Sequence, residues 1–212
     1  MFFIEARINR IVDELFTYVY PDSERIVSYK VKQGNFKGGE FINLDTSSWD
    51  TFVSGNRWGG RDTHFWFRTD ITIPDRFAGK TVVYDVKTGR EGDWDAINPQ
   101  FIVYVNGKAI QGLDVNHREI ILSENATGGE TYKIALHAYS GMKGGLVELD
   151  SKISVLDRRI EKLYYDLKVP LEVAKLLDAE DKRKIDMLNF LNDAINMLDL
   201  RKPFSEAFYS SV

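Results

Sequence analysis

A short apolar run that ends in an Asn-Gly pair is the strongest constraint on the fold of this chain. Residues 101–105 are Phe-Ile-Val-Tyr-Val, with large apolar side chains at odd and even positions alike, which is typical of a strand buried on both faces. Asn106 and Gly107 follow, and both residue types tolerate a positive φ. The segment therefore predicts a tight β-hairpin whose first strand is covered on both sides.

The same two-residue period recurs through the middle of the chain, from about residue 23 to residue 157. It is clearest in residues 65–73 and 132–138, where apolar and polar side chains alternate. Shorter strands are expected at 25–32, 41–44, 81–87, 119–122 and 146–156, and residues 46–62 are expected to form a loop. Glycine and proline separate these segments at regular intervals, so the pattern predicts a β-sandwich or jelly roll.

Both ends of the chain have helical periodicity instead. Residues 2–18 predict an amphipathic helix, which needs a partner surface such as the sandwich or a missing domain. Later helices are expected at 158–167, 171–177, 181–198 and 204–209, with Pro170 at the start of one of them. The expected organisation is an N-terminal helix over 1–22, a sandwich over 23–157 and a helical extension over 158–212.

Composition narrows the possible functions. The 212 residues are 43% hydrophobic and 28% charged, which is an ordinary globular balance. A net charge of −4 without a basic stripe argues against nucleic-acid binding, and the lack of cysteine excludes disulfides and cysteine-ligated zinc. There is no signal peptide or long apolar span, so we expect a cytoplasmic protein that does not bind membranes.

Several motifs resemble the N-terminal domain of the bacterial class II α-mannosidases, which form glycoside hydrolase family 38. The central motif is Tyr104–Gly107 followed by Gln111–Arg118. The others are Trp58-Gly59 with His64–Arg68 and Ile73-Pro74, Asp93–Asp95 ahead of Asn98–Gln100, and Leu163–Asp166 with Ala194–Arg201. With the periodicity, this resemblance predicts a mainly β, galactose-binding-like jelly roll with an N-terminal helix and a C-terminal helical extension.

The resemblance also implies where the catalytic chemistry lies. Family 38 enzymes use a divalent cation, usually zinc, bound by ligands that include a His and an Asp two residues apart, and a separate Asp acts as nucleophile. None of His64, His117 and His137 is followed two residues later by Asp. We therefore expect no metal and no catalytic residue on this chain, which would be inactive alone, and we expect the cation on a missing catalytic domain.

The resemblance thus predicts a non-catalytic accessory domain of an α-mannosidase. Its expected partners are its own catalytic domain, a second copy of the chain and mannose-containing glycans. The face of the 181–198 helix that carries Ile185, Leu188, Ile195 and Leu198 is expected to pack on the catalytic domain or its connecting segment in the intact enzyme, and on the sandwich or a second copy when the chain is isolated. The alternative is a stand-alone carbohydrate-binding module.

One loop with candidate sugar or interdomain contacts contains Trp94, Asp95 and Asn98. An indole packs against the C–H face of a sugar, and carboxylate and amide groups bind its hydroxyls. The competing interpretation is a core-filling tryptophan between two Asx turns. The acidic side chains of residues 91–95 also suit a structural Ca²⁺, although their spacing matches no known calcium loop.

A second candidate loop contains Asp114, Asn116 and His117. It could face the catalytic domain or contact sugar, because planar amide and carboxylate groups suit hydroxyl partners. The competing interpretation is a polar loop in which the Asp and Asn side chains cap backbone amides.

Overall fold

The structure is a computed structural model that describes residues 2–93 and 97–212. The chain divides into two compact units. One is the β unit, Asp22–Val155, and the other combines the helical segments on either side of it, up to Pro21 and from Leu156 onward. Each unit is described by itself below.

The β unit is a sandwich of antiparallel strands. Its strands are β1 (Ser23–Arg25), β2 (Ser28–Gln33), β3 (Asp50–Val53), β4 (Arg57–Gly59), β5 (His64–Thr72), β6 (Val82–Lys87), β7 (Gln100–Val105), β8 (Lys108–Leu113), β9 (Glu119–Ser123), β10 (Thr131–Tyr139), β11 (Leu146–Glu148) and β12 (Asp150–Val155). A six-stranded sheet has the order β3-β2-β5-β10-β7-β8, and a four-stranded sheet has the order β1-β12-β6-β9. Strands β11 and β4 form a separate pair. The predicted jelly-roll sandwich with helical flanks is confirmed.

The predicted hairpin is present as β7 and β8. Asn106 has a φ of 50° and Gly107 a φ of 80°, as a two-residue turn with left-handed residues requires. Phe101 and Val103 are buried in the core, but Ile102 on the opposite face of β7 is 43% exposed. The expectation that this strand is covered on both faces was therefore wrong at Ile102.

Residues 41–62 differ most from expectation. Residues 41–44 form turns and no strand, whereas the predicted loop 46–62 contains β3 and β4. These two strands have four and three residues, too short for a period to be visible, but each buries one aromatic side chain, Phe52 or Trp58, in the core. The apolar character of 41–44 has another cause, because Leu44 packs against a second cluster that contains Trp66.

A buried group of hydroxyls joins the two main sheets inside the core. Tyr29 lies on β2 of the six-stranded sheet, and Tyr84 and Ser151 lie on β6 and β12 of the four-stranded sheet. The Tyr29 and Tyr84 hydroxyls are 2.6 Å apart, and the Tyr29 hydroxyl also bonds to Ser151 Oγ. These hydrogen bonds give the otherwise apolar core a fixed register between the sheets.

The helical unit contains α1 (Phe2–Val19), α2 (Arg158–Lys175), α3 (Lys182–Asn196) and α4 (Glu206–Ser211). Helix α2 continues through Pro170, so the prediction of two shorter helices was wrong. A proline within a helix removes one backbone hydrogen bond, but Leu167 and Leu171 on either side of Pro170 are both buried and hold the helix together. None of the helices in the described part of the chain is long and apolar enough to cross a membrane.

Helices α1, α2 and α3 pack on one another. Ile8, Val12 and Leu15 of α1 are buried, so this helix has helical partners that its sequence pattern did not indicate. Leu188 and Ile195 of α3 are also buried in this unit. Helix α3 contacts both α1 and α2. The predicted packing of this face on the catalytic domain or its connecting segment, and on the sandwich or a second copy in the isolated chain, stays a prediction.

The buried hydroxyls predict sensitivity to alkali. Burial raises the pKa of Tyr29 to about 12, and burial also raises the pKa of Tyr84. An unfolded tyrosine has a pKa of about 10, so these hydroxyls lose their protons at a lower pH in the unfolded state than in the folded state. Above pH 10 this deprotonation favours the unfolded state. The contribution of these groups to the free energy of unfolding should be constant below about pH 10 and should be lost as the pH rises toward 12.

Tyr84→Phe tests this expectation. It removes one buried hydrogen bond and should lower the free energy of unfolding by about 1 kcal/mol at neutral pH. It should also make the alkaline loss of stability smaller than in the unsubstituted chain. Urea unfolding at neutral pH and at several alkaline pH values measures both effects. An unchanged alkaline slope would contradict the assignment to this hydroxyl group.

Candidate functional site

The candidate residues of the first loop are only partly described. Trp94 and Asp95 lie outside the described residues, and their roles stay predictions. Asn98 is half-buried, and its side chain lies against Gly141, where an added Cβ would be 2.7 Å from Asn98 Cγ. Asn98 is thus positioned by a close contact with the loop that follows β10.

Acidic side chains near this loop already bond to the protein. Glu91 accepts hydrogen bonds from Thr88 Oγ1 at 3.0 Å and from the Gly89 amide at 3.1 Å, and Asp93 pairs with Arg90 at 2.9 Å. Although burial opposes it, hydrogen bonding from Thr88 keeps the pKa of Glu91 below its ordinary value. Within the described residues, no group of three or more His, Cys, Asp or Glu side chains is arranged to bind a metal.

The second candidate loop is organised around Asp114. Its Oδ1 accepts hydrogen bonds from the amides of Asn116 and His117, both at 2.8 Å, and lies 3.0 Å from His117 Nδ1. Burial raises the pKa of Asp114, but these donors outweigh it and hold the pKa below its ordinary value. The geometry is that of a capped polar loop, and the sugar-contact role of Asn116 and His117 stays a prediction.

The outward face of the six-stranded sheet contains a set of side chains that the sequence did not single out. Strand register aligns them in rows across β7, β10 and β5. One row is Gln100–Tyr139–His64, the next is Ile102–His137–Trp66, and the third is Tyr104–Ala135–Arg68. Because alternate residues of each strand face the same side, all three rows belong to the face opposite the core.

The aromatic members of these rows form one continuous stack. Tyr139 and His64 have ring centroids 4.7 Å apart, His64 and His137 5.2 Å, His137 and Trp66 4.4 Å, and Trp66 and Tyr104 5.6 Å. The His137 and Trp66 rings are nearly parallel, at 7°. The stack therefore crosses the sheet as a rigid surface of flat rings.

Residues 34–49, here called the covering loop, bury one end of this stack. Trp66 Nε1 donates to the Phe36 carbonyl at 3.2 Å. Arg68 donates to the Gly39 carbonyl at 2.7 Å and to the Phe41 carbonyl at 2.8 Å. An added Cβ on Gly39 would lie 2.2 Å from the Trp66 ring, so only glycine allows this approach. The covering loop thus fixes Trp66 and Arg68 in the interior.

The other end of the stack borders open cavities. A cavity of about 470 Å³ is lined by His64, Gln100, Phe101, Ile102, Gly112, Leu113, Asp114, His137 and Tyr139. A second cavity of about 390 Å³ is lined by Asn98, Tyr139 and residues of the loop after β10. Tyr139 lines both, so the structure brings Asn98 and Asp114 to neighbouring cavities. Asn116 and His117 line neither of them.

The imidazoles in the stack are held in unusual surroundings. His64 Nδ1 and His137 Nε2 are both buried, and neither has a hydrogen-bond partner among the described residues. Burial, and then the neighbouring His64, lower the pKa of His137 below its ordinary value of 6.5. His137 is therefore neutral at physiological pH, and its ring acts as a flat, weakly polar surface.

The residues of the larger cavity had one sequence signal that was not used. His64 and His137, with Tyr139 beside them, occupy the outward parity of two strands whose inward parity is apolar. Rings at outward positions of the central strands of a sheet predict a covered or ligand-binding face. The polar residues of the loops are the more conspicuous candidates in the sequence, because each loop gathers several of them within a few positions.

Comparison with known proteins identifies the domain. The family of α-mannosidase jelly-roll domains, described as the Ams1-like first domain, matches residues 21–148. This chain belongs to that family. The match covers the β unit from its first residues through β11, and the resemblance to an α-mannosidase domain is confirmed.

A curated relative agrees with the family. Alpha-mannosidase G of Dictyostelium discoideum is 28% identical over 195 residues, which cover 82% of this chain and 17% of that protein. The α-mannosidase jelly-roll chain thus spans about a sixth of the length of the relative it matches.

Two solved structures show a weak overall similarity. A glycosyl hydrolase family 2 member from Bacteroides cellulosilyticus is 15% identical, with a TM-score of 0.49 over 63% of this chain and 20% of its own. A β-glucuronidase from Ruminococcus gnavus is 12% identical, with a TM-score of 0.47 over 65% of this chain and 30% of its own. Similarity at this level carries no functional inference.

The covering loop predicts a strong effect of Arg68→Met. Arg68 is 8% exposed and its guanidinium bonds to loop carbonyls, and burial lowers its pKa. Methionine retains the apolar stem but leaves two carbonyls without their donor, so the free energy of unfolding should fall by about 3 kcal/mol.

Lys30→Met is the matched control, because Lys30 lies opposite Arg68 on β2 and makes only long hydrogen bonds, of 3.4 Å and 3.3 Å. Its effect should be below about 1 kcal/mol. Chemical denaturation of both variants gives the comparison. Equal losses would show that Arg68 does not secure the covering loop.

Proposed function

We propose that this chain is a non-catalytic accessory domain of an α-mannosidase, and that the whole protein removes terminal α-mannosyl residues from glycans. The observation that carries this proposal is the match of residues 21–148 to α-mannosidase jelly-roll domains. The alignment to only 17% of alpha-mannosidase G supports an accessory role, since most of such a protein lies outside this domain.

We further propose that the parent enzyme belongs to glycoside hydrolase family 38 and that this domain precedes its catalytic domain. The motifs Tyr104–Gly107 and Gln111–Arg118 support this assignment by their resemblance to that family. In family 38 a divalent cation, usually zinc, serves catalysis. We place that cation, with the nucleophile, on the part of the protein beyond this domain.

A second apolar stripe on α2 is the proposed contact with the catalytic domain. One face of α2 is buried in the helical unit through Ile160, Tyr164, Leu167, Leu171 and Ala174. The opposite face carries Tyr165, Val169 and Val173 and continues to Leu176, the residue that caps the helix, and these side chains are 45–86% exposed. These positions are spaced by four, four and three residues and so lie on one side of the helix.

The catalytic domain is the favoured partner for this stripe because it belongs to the same polypeptide. A helix with two apolar faces is typical of an element buried between two partners. Burying a large aliphatic side chain is worth roughly 1.5–3 kcal/mol, so a contact through several of them is stable.

The activity proposal is tested on the whole protein and on this chain in parallel. The whole protein should hydrolyse 4-nitrophenyl α-D-mannopyranoside, lose this activity on treatment with a chelator and regain it with Zn²⁺. The purified 212-residue chain should show no turnover under the same conditions. A whole protein that cleaves other glycosides but not α-mannosides would overturn the proposal, as would metal-dependent turnover by the chain alone.

The contact is tested by the double substitution Val169→Glu with Val173→Glu. Both residues are exposed in this chain, so its own melting temperature should change little. The whole enzyme should melt at a lower temperature or lose activity, because two carboxylates would be buried in the contact.

Val27→Glu is the matched control, since Val27 is a 71% exposed valine of the β unit. It should affect neither the chain nor the enzyme. Sedimentation of the unsubstituted chain adds a separate outcome, because concentration-dependent dimerisation that the double variant abolishes would assign the stripe to a second copy instead. If the double substitution changes neither the melting temperature nor the activity of the whole enzyme, the proposed contact is refuted.

A further inference from the structure

We propose that the 470 Å³ cavity on the outward face of the six-stranded sheet binds one neutral sugar ring. This role goes beyond the accessory function, and it uses residues other than the loop candidates Trp94, Asn116 and His117. Its volume lies in the range of roughly 300–1,000 Å³ that small-molecule sites occupy. The cavity combines a flat apolar surface, a few polar groups and the open space beside Gly112.

The apolar surface of the cavity is flat and rigid. His64, His137 and Tyr139 belong to the ring stack, whose far end is fixed by the covering loop. Ile102 is 43% exposed in the middle of a central strand, where an apolar side chain gains nothing from contact with water. A surface of rings with one aliphatic neighbour is suited to the C–H face of a pyranose.

The polar groups at the cavity suit hydroxyls better than ions. Gln100 offers both a donor and an acceptor, and Asp114 offers carboxylate oxygens. Among the described residues, the hydrogen bonds from the Asn116 and His117 amides and the contact with the His117 ring all involve Asp114 Oδ1, which leaves Oδ2 for a donor on a ligand. A sugar hydroxyl both donates and accepts, so it can satisfy groups of either kind.

Charge excludes the other common classes of small ligand. Neither lysine nor arginine is among the described residues that line the cavity, so a phosphate or carboxylate ligand would lack a cationic partner beside Asp114. Within the described residues, His64, His137 and Asp114 are not arranged as a group of three that could hold a metal ion.

Gly112 keeps part of the cavity open, although its backbone conformation does not require glycine. It lies on β8 directly opposite Ile102, and its φ is not in the left-handed region. An added Cβ would meet only the Phe101 carbonyl oxygen, at an ordinary 3.8 Å. A side chain at this position would therefore occupy space that a ligand needs while the strand itself remains intact.

Saturation-transfer NMR on the full chain tests the proposal, with methyl α-D-mannopyranoside and methyl β-D-galactopyranoside as probes. At least one probe should receive saturation from the unsubstituted chain. Gly112→Ile should weaken that binding roughly tenfold or more, because the new side chain fills the cavity. Ala109→Ile is the matched control, since Ala109 is exposed on the same strand and does not line the cavity, and it should bind as the unsubstituted chain does.

A third variant keeps the test decisive if Gly112→Ile does not fold. Gln100→Leu changes an exposed side chain and should also weaken binding by removing hydroxyl partners. Thermal melting of all three variants establishes which of them are folded. Absence of saturation transfer with both probes, or folded Gly112→Ile and Gln100→Leu variants that bind like the unsubstituted chain, would overturn the proposal.

The same measurements separate this subsite from the accessory role. If this chain binds a sugar but the whole protein has no α-mannosidase activity, the sugar subsite is supported and the accessory function is refuted. If the whole enzyme is active but this chain binds neither probe, the accessory function is supported and the sugar subsite is refuted. If only the galactoside receives saturation, the sugar subsite is supported and mannose is excluded as its ligand.

Discussion

The middle of strand β5 must be buried on both faces, and the rest of the β unit follows from that requirement. Its inward side chains, such as Phe67 and Ile71, form the core between the sheets, while Trp66 and Arg68 face outward and are also buried. A jelly roll with two main sheets covers only the inward face. The covering loop supplies the other cover, and it needs Gly39 for close approach and the Arg68 guanidinium to bind its carbonyls. An apolar residue in place of Arg68 would leave those carbonyls without a donor.

The same cover determines where a ligand can bind. The covering loop protects the Trp66 end of the ring stack, and the stack continues past it to His64 and Tyr139, where the cavities begin. The buried end holds the rings in place and the open end presents them. Preorganised rings lose little conformational freedom on binding, so even a small contact area can bind a sugar. This arrangement explains why Ile102 is exposed, because a cover over this part of β7 would close the cavity.

Sequence patterns predicted the parts of this fold that local physics controls. The Asn106-Gly107 turn and the alternation in β5 and β10 were correct, because turn geometry and burial parity act within a few residues. Strands β3 and β4 were missed because each is defined by its partner strand and not by its own period. Pro170 was placed at a helix start because buried neighbours that hold a helix across a proline are not visible in sequence. Of the predicted polar loop residues, only Asp114 of the second loop lines the larger cavity, whose stacked rings come from His64, His137 and Tyr139, three residues that meet through strand register.

The two proposed surfaces have opposite physical characters, and this difference matches the two tasks. The stripe on α2 is mainly apolar and carries no charge, so its burial gains free energy chiefly from apolar area and favours a lasting contact. The ring-lined cavity combines flat surfaces with a few polar groups, and each sugar hydroxyl must exchange a water hydrogen bond for a protein one at little net gain. Such a site binds weakly and releases quickly, as a domain beside a glycan-processing centre needs if it is to hold substrate without retaining product. A lasting contact would then raise the effective concentration of that weak site near the catalytic domain, which makes low affinity sufficient.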